Sequence, residues 1–201
     1  MSAPADQPAP GDARRLGQAE LERLRRTIIS HFASHLYHQV GLREICRDAQ
    51  VSPKTVYKYF GCKEELMLAC VEPDLEELLR HTRVAVEGAT GRREALWAVA
   101  RCQFAFYAER PAVARVVFLN LPEAYWMEQR SPAELAREAL VNELLAAAAP
   151  ERRRGEAALV IDVSAGAVRR LVVRWLIEGQ SHDLRARGEA FLSLMEGVVD
   201  G

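Results

Sequence analysis

From Gln18 to the C-terminus apolar residues return every three or four positions, and no segment alternates apolar and polar residues in twos. A period of 3.6 residues sustained through successive segments is that of amphipathic helices, so the chain is expected to be all-α. At 201 residues, 49% of them apolar, it can bury one sizeable core or a small and a larger one. Residues 1–17 lack the period and are rich in Pro, Ala, Gly and Asp. They read as a disordered tail, with Arg14 and Arg15 as a basic arm.

Proline, glycine and capping residues divide the periodic part. A first helix from near Gln18 carries Leu21, Leu24, Ile28, Phe32 and Leu36 on one face, and a short second helix carries Leu42, Ile45, Cys46 and Ala49. After a tight turn, Ser52 as N-cap and Pro53 at the first helical position launch a third helix that stops at Gly61. This makes a helix-turn-helix over about residues 41–60, within a three-helix unit of residues 18–64. A fourth helix starts at Lys63, with Pro73 predicting a kink or a break and restart near Glu72. Further helices are expected over about 92–109, 111–120, 132–149, 152–178 and 183–199. Ser131, Pro132 and Glu134 form a capping box, Pro150 ends the helix it starts, and Gly179 closes the next.

The third helix has two faces. A step of about 100° per residue puts Val56 and Phe60 on one side and Lys54, Tyr57 and Lys58 on the other, with Thr55 and Tyr59 at the flanks. Lysines neutralise phosphates, tyrosine hydroxyls bond phosphate oxygens, and threonine offers a hydroxyl or a methyl to base edges. The second face therefore suits a polyanion in a major groove. Lys63, beside the free amides that open the fourth helix, is expected to add a second phosphate anchor. The formal charge of the whole chain is -1, yet Met1 to Lys63 carries an excess of Lys and Arg, in keeping with an anionic partner at that end.

Other classes of function find little support. No paired carboxylates, nucleophile with its base, phosphate loop or HExxH helix is present, so the chain does not read as an enzyme, and no cofactor is expected. Cys46, Cys62, Cys70 and Cys102 have neither CxxC spacing nor the density of a disulfide scaffold and read as reduced thiols. No apolar run approaches the roughly 20 residues of a membrane span, and the first residues lack the pattern of a signal peptide. A cytoplasmic protein is expected.

From about Leu24 to Val71, through "IISHFASHLY", "LREICRDAQVSPKTVYKYF" and "CKEELMLACVE", the chain resembles the DNA-binding domain of the tetracycline-repressor (TetR) family of bacterial regulators. Three positions depart from the family pattern: Leu36 stands for the glycine before the Tyr37 position, Gln50 for the turn glycine, and Cys62 for the Ser or Thr that caps the fourth helix. The resemblance implies a homodimeric repressor that binds a palindromic double-stranded DNA operator and is released by a small-molecule effector. It also places Ser52, Lys54, Thr55, Tyr57, Lys58, Tyr59 and Lys63 at positions used against DNA.

Residues 65–201 then correspond to the family's ligand-binding and dimerisation domain. The aromatic residues Trp97, Phe104, Tyr107, Phe118 and Trp126 are candidates for the effector cavity, with Arg170 among the groups able to hold its polar part. The segment "ALVIDVSAGAVRRLVVRWLIEG" is apolar on more than one face. Val168, Val172 and Trp175, with Phe191 and Met195 on the last helix, are the residues expected at the dimer interface. The fourth helix joins the two domains, so a ligand that shifts its distal half would alter the spacing of the reading heads.

Three alternatives stand beside this reading. His31, His35 and His38 have a spacing that suggests a metal sensor. Cys62, at a helix N-terminus beside Lys63, would be a redox sensor if its thiol pKa were lowered. A regulator-like protein that acts only through protein partners would keep the dimer and lose the DNA contact.

Overall fold

The computed structural model describes residues 17–146 and 154–199, and among them every regular element is helical. The expected tail lies, apart from Gly17, outside the described residues. Helix α1 (Gln18–Ser34) is followed by a single 3-10 turn (Tyr37–Gln39), α2 (Leu42–Asp48), α3 (Pro53–Tyr59) and the long α4 (Lys63–Glu87). Then come α5 (Arg92–Glu109), α6 (Pro111–Arg115) running on as a π-helical turn (Val116–Asn120), α7 (Glu123–Glu128), α8 (Pro132–Ala146), α9 (Arg154–Ile177) and α10 (Leu184–Val199).

Helix α1 buries Leu24, Ile28 and Phe32 completely, α2 buries Ile45 and Cys46, and α3 contributes Val56 followed by Phe60. These side chains pack on Leu66, Met67, Cys70 and Val71 of α4 and form one cluster that continues into Val113, Val116, Val117 and Leu121. The N-terminal helices therefore rest on the α6 region as well as on α4. A second cluster, with Leu78, Phe104, Phe106, Tyr107, Val168, Val172, Trp175 and Leu184, holds α4, α5, α9 and α10 together. At Gly188 of α10 an added Cβ would lie 2.4 Å from Cδ2 of Phe104.

Two expectations about elements change. Helix α4 runs unbroken past Pro73, so of the kink or break expected near Glu72 the break and restart does not occur. Pro73 lies on the exposed side of the helix, where water can reach the carbonyl of Ala69 that lacks its amide donor. The short helix α7 was not foreseen, because six residues between Pro122 and Gln129 are too few to display a period. The capping box at α8 forms through its serine: the Glu134 amide donates to Ser131 Oγ at 3.0 Å.

Candidate nucleic-acid interface

The turn between α2 and α3 is built without glycine. Gln50 takes the left-handed conformation, φ 55°. The Gln50 amide donates to the Arg47 carbonyl at 3.1 Å, and the Val51 amide to the Cys46 carbonyl at 2.9 Å. This pair of bonds is the Schellman arrangement, closed by buried Val51 against the core. Ser52 is the N-cap residue, as expected, but its hydroxyl makes no capping bond. The first turn is set instead by the fixed φ of Pro53 and by the Val56 amide donating to the Ser52 carbonyl at 3.1 Å. The serine hydroxyl stays outside.

With Val56 and Phe60 inserted in the core, the opposite side of α3 faces solvent. Ser52, Lys54, Tyr57 and Lys58 are exposed, Tyr57 by 56%, while Thr55 and Tyr59 are half-buried. Lys58 Nζ lies 5.3 Å from the centroid of the Tyr59 ring. The structure thus gathers six of the seven expected contact residues on or beside one short helix.

Lys63 is turned the other way. Its ammonium donates to the carbonyls of Tyr37 at 2.6 Å and Val40 at 2.9 Å, and it lies over the Tyr37 ring. Burial lowers its pKa. The Tyr37 hydroxyl donates to Glu64. Two carbonyls of the irregular segment ahead of α2 would otherwise lack donors, and a lysine within reach satisfies both. Half-buried Lys63 thus clamps two backbone carbonyls, where a free phosphate anchor was expected.

At the start of α4 the Glu65 amide donates to Cys62 Sγ at 3.4 Å, so the cysteine does cap this helix, and the Glu65 carboxylate in turn accepts from the Gly61 amide at 2.8 Å. Burial pushes the Cys62 thiol up, opposite to the lowered pKa that a redox sensor would need.

Beyond α4, Phe104, Tyr107 and Phe118 come together. Tyr107 is edge-on to Phe106 at 5.4 Å and to Phe118 at 4.8 Å between ring centroids, and burial raises its pKa. Trp126 packs instead against the N-terminal cluster, and Trp97 stands half-buried with its indole N–H lacking an acceptor among the described residues. Arg170 is exposed on α9. The arginine that is drawn inward is Arg137, held by Glu134 one turn earlier on α8. Its spacing from Glu134 was the available signal. A groove of about 630 Å³ opens between α1 and α4, lined by Leu21, Glu22, Arg25, Ala69, Cys70 and Pro73.

The residues expected at a dimer interface mostly serve the chain's own core. Val168, Val172 and Trp175 are buried among α4, α5 and α10, and Phe191 packs on Phe104 at 6.4 Å. The side chain of Met195 lies outside the described ones. The outward side of α9 carries Val163, Gly166, Arg170 and Ile177. Beside it on α10 stands Leu194, which is 73% exposed.

Residues 26–70 match the family described as bacterial regulatory proteins, tetR family. Over 89 residues the chain is 32% identical to the HTH-type transcriptional activator FasR of Mycolicibacterium smegmatis, an alignment that covers 44% of this chain and 41% of that relative. The chain thus spans less than half the length of that relative. The fold is similar to that of the fatty acid degradation regulator FadR of Bacillus halodurans, with a TM-score of 0.72 and 22% identity over 90% of this chain and 96% of that one. It is also similar to FadR of Bacillus subtilis in complex with stearoyl-CoA, with a TM-score of 0.70 and 19% identity over 86% and 96% of the two chains. At such identities the structural likeness speaks for the fold alone. The match over the helix-turn-helix and the likeness of fold agree: residues 26–70 are similar to the DNA-binding domain of bacterial regulatory proteins of the tetR family, on a fold that the solved regulators share.

Proposed function

We propose that the protein is a homodimeric, ligand-responsive transcriptional regulator that represses by occupying a palindromic DNA operator and leaves it when a small molecule binds the second domain. The observation that carries the reading is the exposed row Lys54, Tyr57 and Lys58 on α3, on a helix whose other face is anchored by Val56 and Phe60. Such a helix enters a major groove with its cations on phosphates and Thr55 toward the bases.

The dimer forms through the outward stripe of α9 and the neighbouring face of α10. Val163, Ile177 and Leu194 leave apolar area in water, and Gly166 lets a second helix approach closely. The effector binds near Phe104, Tyr107 and Phe118, whose one polar tip is the Tyr107 hydroxyl. Bacillus subtilis FadR was crystallised with stearoyl-CoA, so long-chain acyl thioesters are the first class to try.

Mobility shift of the promoter region beside its own gene, over a range of salt, tests the core of the proposal. Because a dimer carries each lysine twice, Lys54→Ala and Lys58→Ala should each reduce the slope of log K against log salt by about 1.8. Loss of binding on addition of effector supports release. An intact dimer that ignores this DNA at every salt concentration points to action through protein partners. Ile177→Glu should yield a helical monomer by light scattering, and a dimer retained in that variant overturns the assigned interface.

A further inference from the structure

The three histidines at the end of α1 do not gather. His35 turns its Nδ1 toward the carbonyl of His31, 3.0 Å away, and His38 is exposed in the 3-10 turn. His31 reaches across to α2 instead, with Nε2 at 2.9 Å from Asp48 Oδ2. Glu44 precedes Asp48 by one helical turn and brings a second carboxylate to the same side. One donor atom from each of the three lies within 4.8 Å of the others.

We infer that His31, Glu44 and Asp48 form a binding site for a divalent first-row transition-metal ion that bridges α1 and α2. An imidazole nitrogen with two carboxylate oxygens is a donor set for zinc or its neighbours, and the imidazole selects against calcium and magnesium. Ligand bonds of about 2.0–2.2 Å require donors roughly 3–4 Å apart, which a rotation of the half-exposed Glu44 side chain provides. The helix α2 supplies the carboxylates at positions i and i+4, so both project from one face, and α1 supplies the nitrogen from across the interface.

The surroundings set the strength. Arg47 Nε donates to the outer oxygen of Asp48, Oδ1, at 2.9 Å, and its Nη2 lies 3.9 Å from Glu44 Oε1. It orients the carboxylates and leaves Asp48 Oδ2 for the ion, while its charge weakens binding. Three protein ligands leave the remaining positions to water. The ion would take the place now held by the hydrogen bond between His31 and Asp48 and fasten α2 to α1 just ahead of the turn at Gln50. Arg23 already ties α1 to that turn through the Ala49 carbonyl at 3.1 Å. An occupied site therefore stiffens the support of α3.

Titration of the metal-stripped full chain with zinc chloride, followed by calorimetry and thermal melting without DNA, tests the site independently of operator binding. Wild type is expected to bind an ion that raises the midpoint. Glu44→Gln leaves the pair between His31 and Asp48 in place and should remove that ion and its stabilisation, as should His31→Ala. Equal binding by wild type and Glu44→Gln, or a wild-type midpoint that ignores zinc, overturns the inference. A cobalt(II) spectrum dominated by thiolate charge transfer would place the ion on cysteine and would also overturn it.

Discussion

The ammonium of Lys63 lies 3.4 Å from the centroid of the Tyr37 ring, under the segment that joins α1 to α2. A partly desolvated cation–π contact contributes about 0.5–2 kcal/mol, and a charged hydrogen bond such as those to the Tyr37 and Val40 carbonyls about 1.5–3 kcal/mol. Because one group makes all three contacts, Lys63→Ala is expected to cost about 2–3 kcal/mol in urea unfolding. Its salt slope for DNA should equal that of wild type. A slope reduced by about 1.8 for the dimer, with unchanged stability, would return Lys63 to the phosphate backbone.

Gln50 holds φ 55° with a side chain that disfavours it. Left-handed geometry costs a residue with a Cβ about 1–2 kcal/mol, whereas glycine adopts it without that penalty but loses more entropy on folding. Gln50→Gly is expected to stabilise the protein by up to about 1 kcal/mol. A lowered thermal midpoint would mean that the glutamine side chain supplies a contact that offsets its strain.

Gly188 faces Phe104 with no room for a methyl group. Gly188→Ala gains helix propensity, yet the ring or the helix must move, and overpacking of this kind costs about 1–3 kcal/mol. Thermal melting and the aromatic circular dichroism of the second domain should both register it. Adding Phe104→Leu should recover part of the loss, and additive costs of the two changes would refute the clash.

Glu72 presents Oε1 to the Ala133 amide at 3.1 Å, while its buried Oε2 has no partner among the described residues. Burial raises its pKa, against the pull of the Ala133 amide and the Ser131 hydroxyl. A carboxyl whose folded pKa lies above its unfolded one holds its proton more tightly in the fold. Its contribution is complete below the ordinary carboxylate range and is lost as pH rises through the folded value. Glu72→Gln keeps an acceptor for Ala133 without the charge, so it should exceed wild type in stability near neutral pH. That advantage should shrink on acidification, and melts of both proteins across the range will reveal whether it does.

Local rules were enough for much of the molecule. The period of the apolar residues, Pro53 and Pro132 at first helical positions, and the glycine at 179, which takes φ 68°, mark helices where the structure has them. They also separate Val56 and Phe60 from Lys54, Tyr57 and Lys58, because in a single helix the residue spacing fixes the face. Gln50 shows the same logic at a departure from the family pattern: the turn geometry is kept, and the residue bears the strain.

What sequence alone could not decide was which of two equivalent choices the packing takes. The α9 segment is apolar on more than one face. Only the fold turns Val168, Val172 and Trp175 inward, where the Trp175 indole donates to the His182 carbonyl at 2.9 Å, and leaves Val163 and Ile177 outside. Likewise a lysine beside a helix start serves a phosphate or a carbonyl equally well by residue type. Lys63 clamps the chain's own turn because Tyr37 and Val40, more than twenty residues earlier, expose two carbonyls within its reach. Spacing along one helix is fixed by covalent geometry, but a partner distant in sequence exists only once the helices have packed.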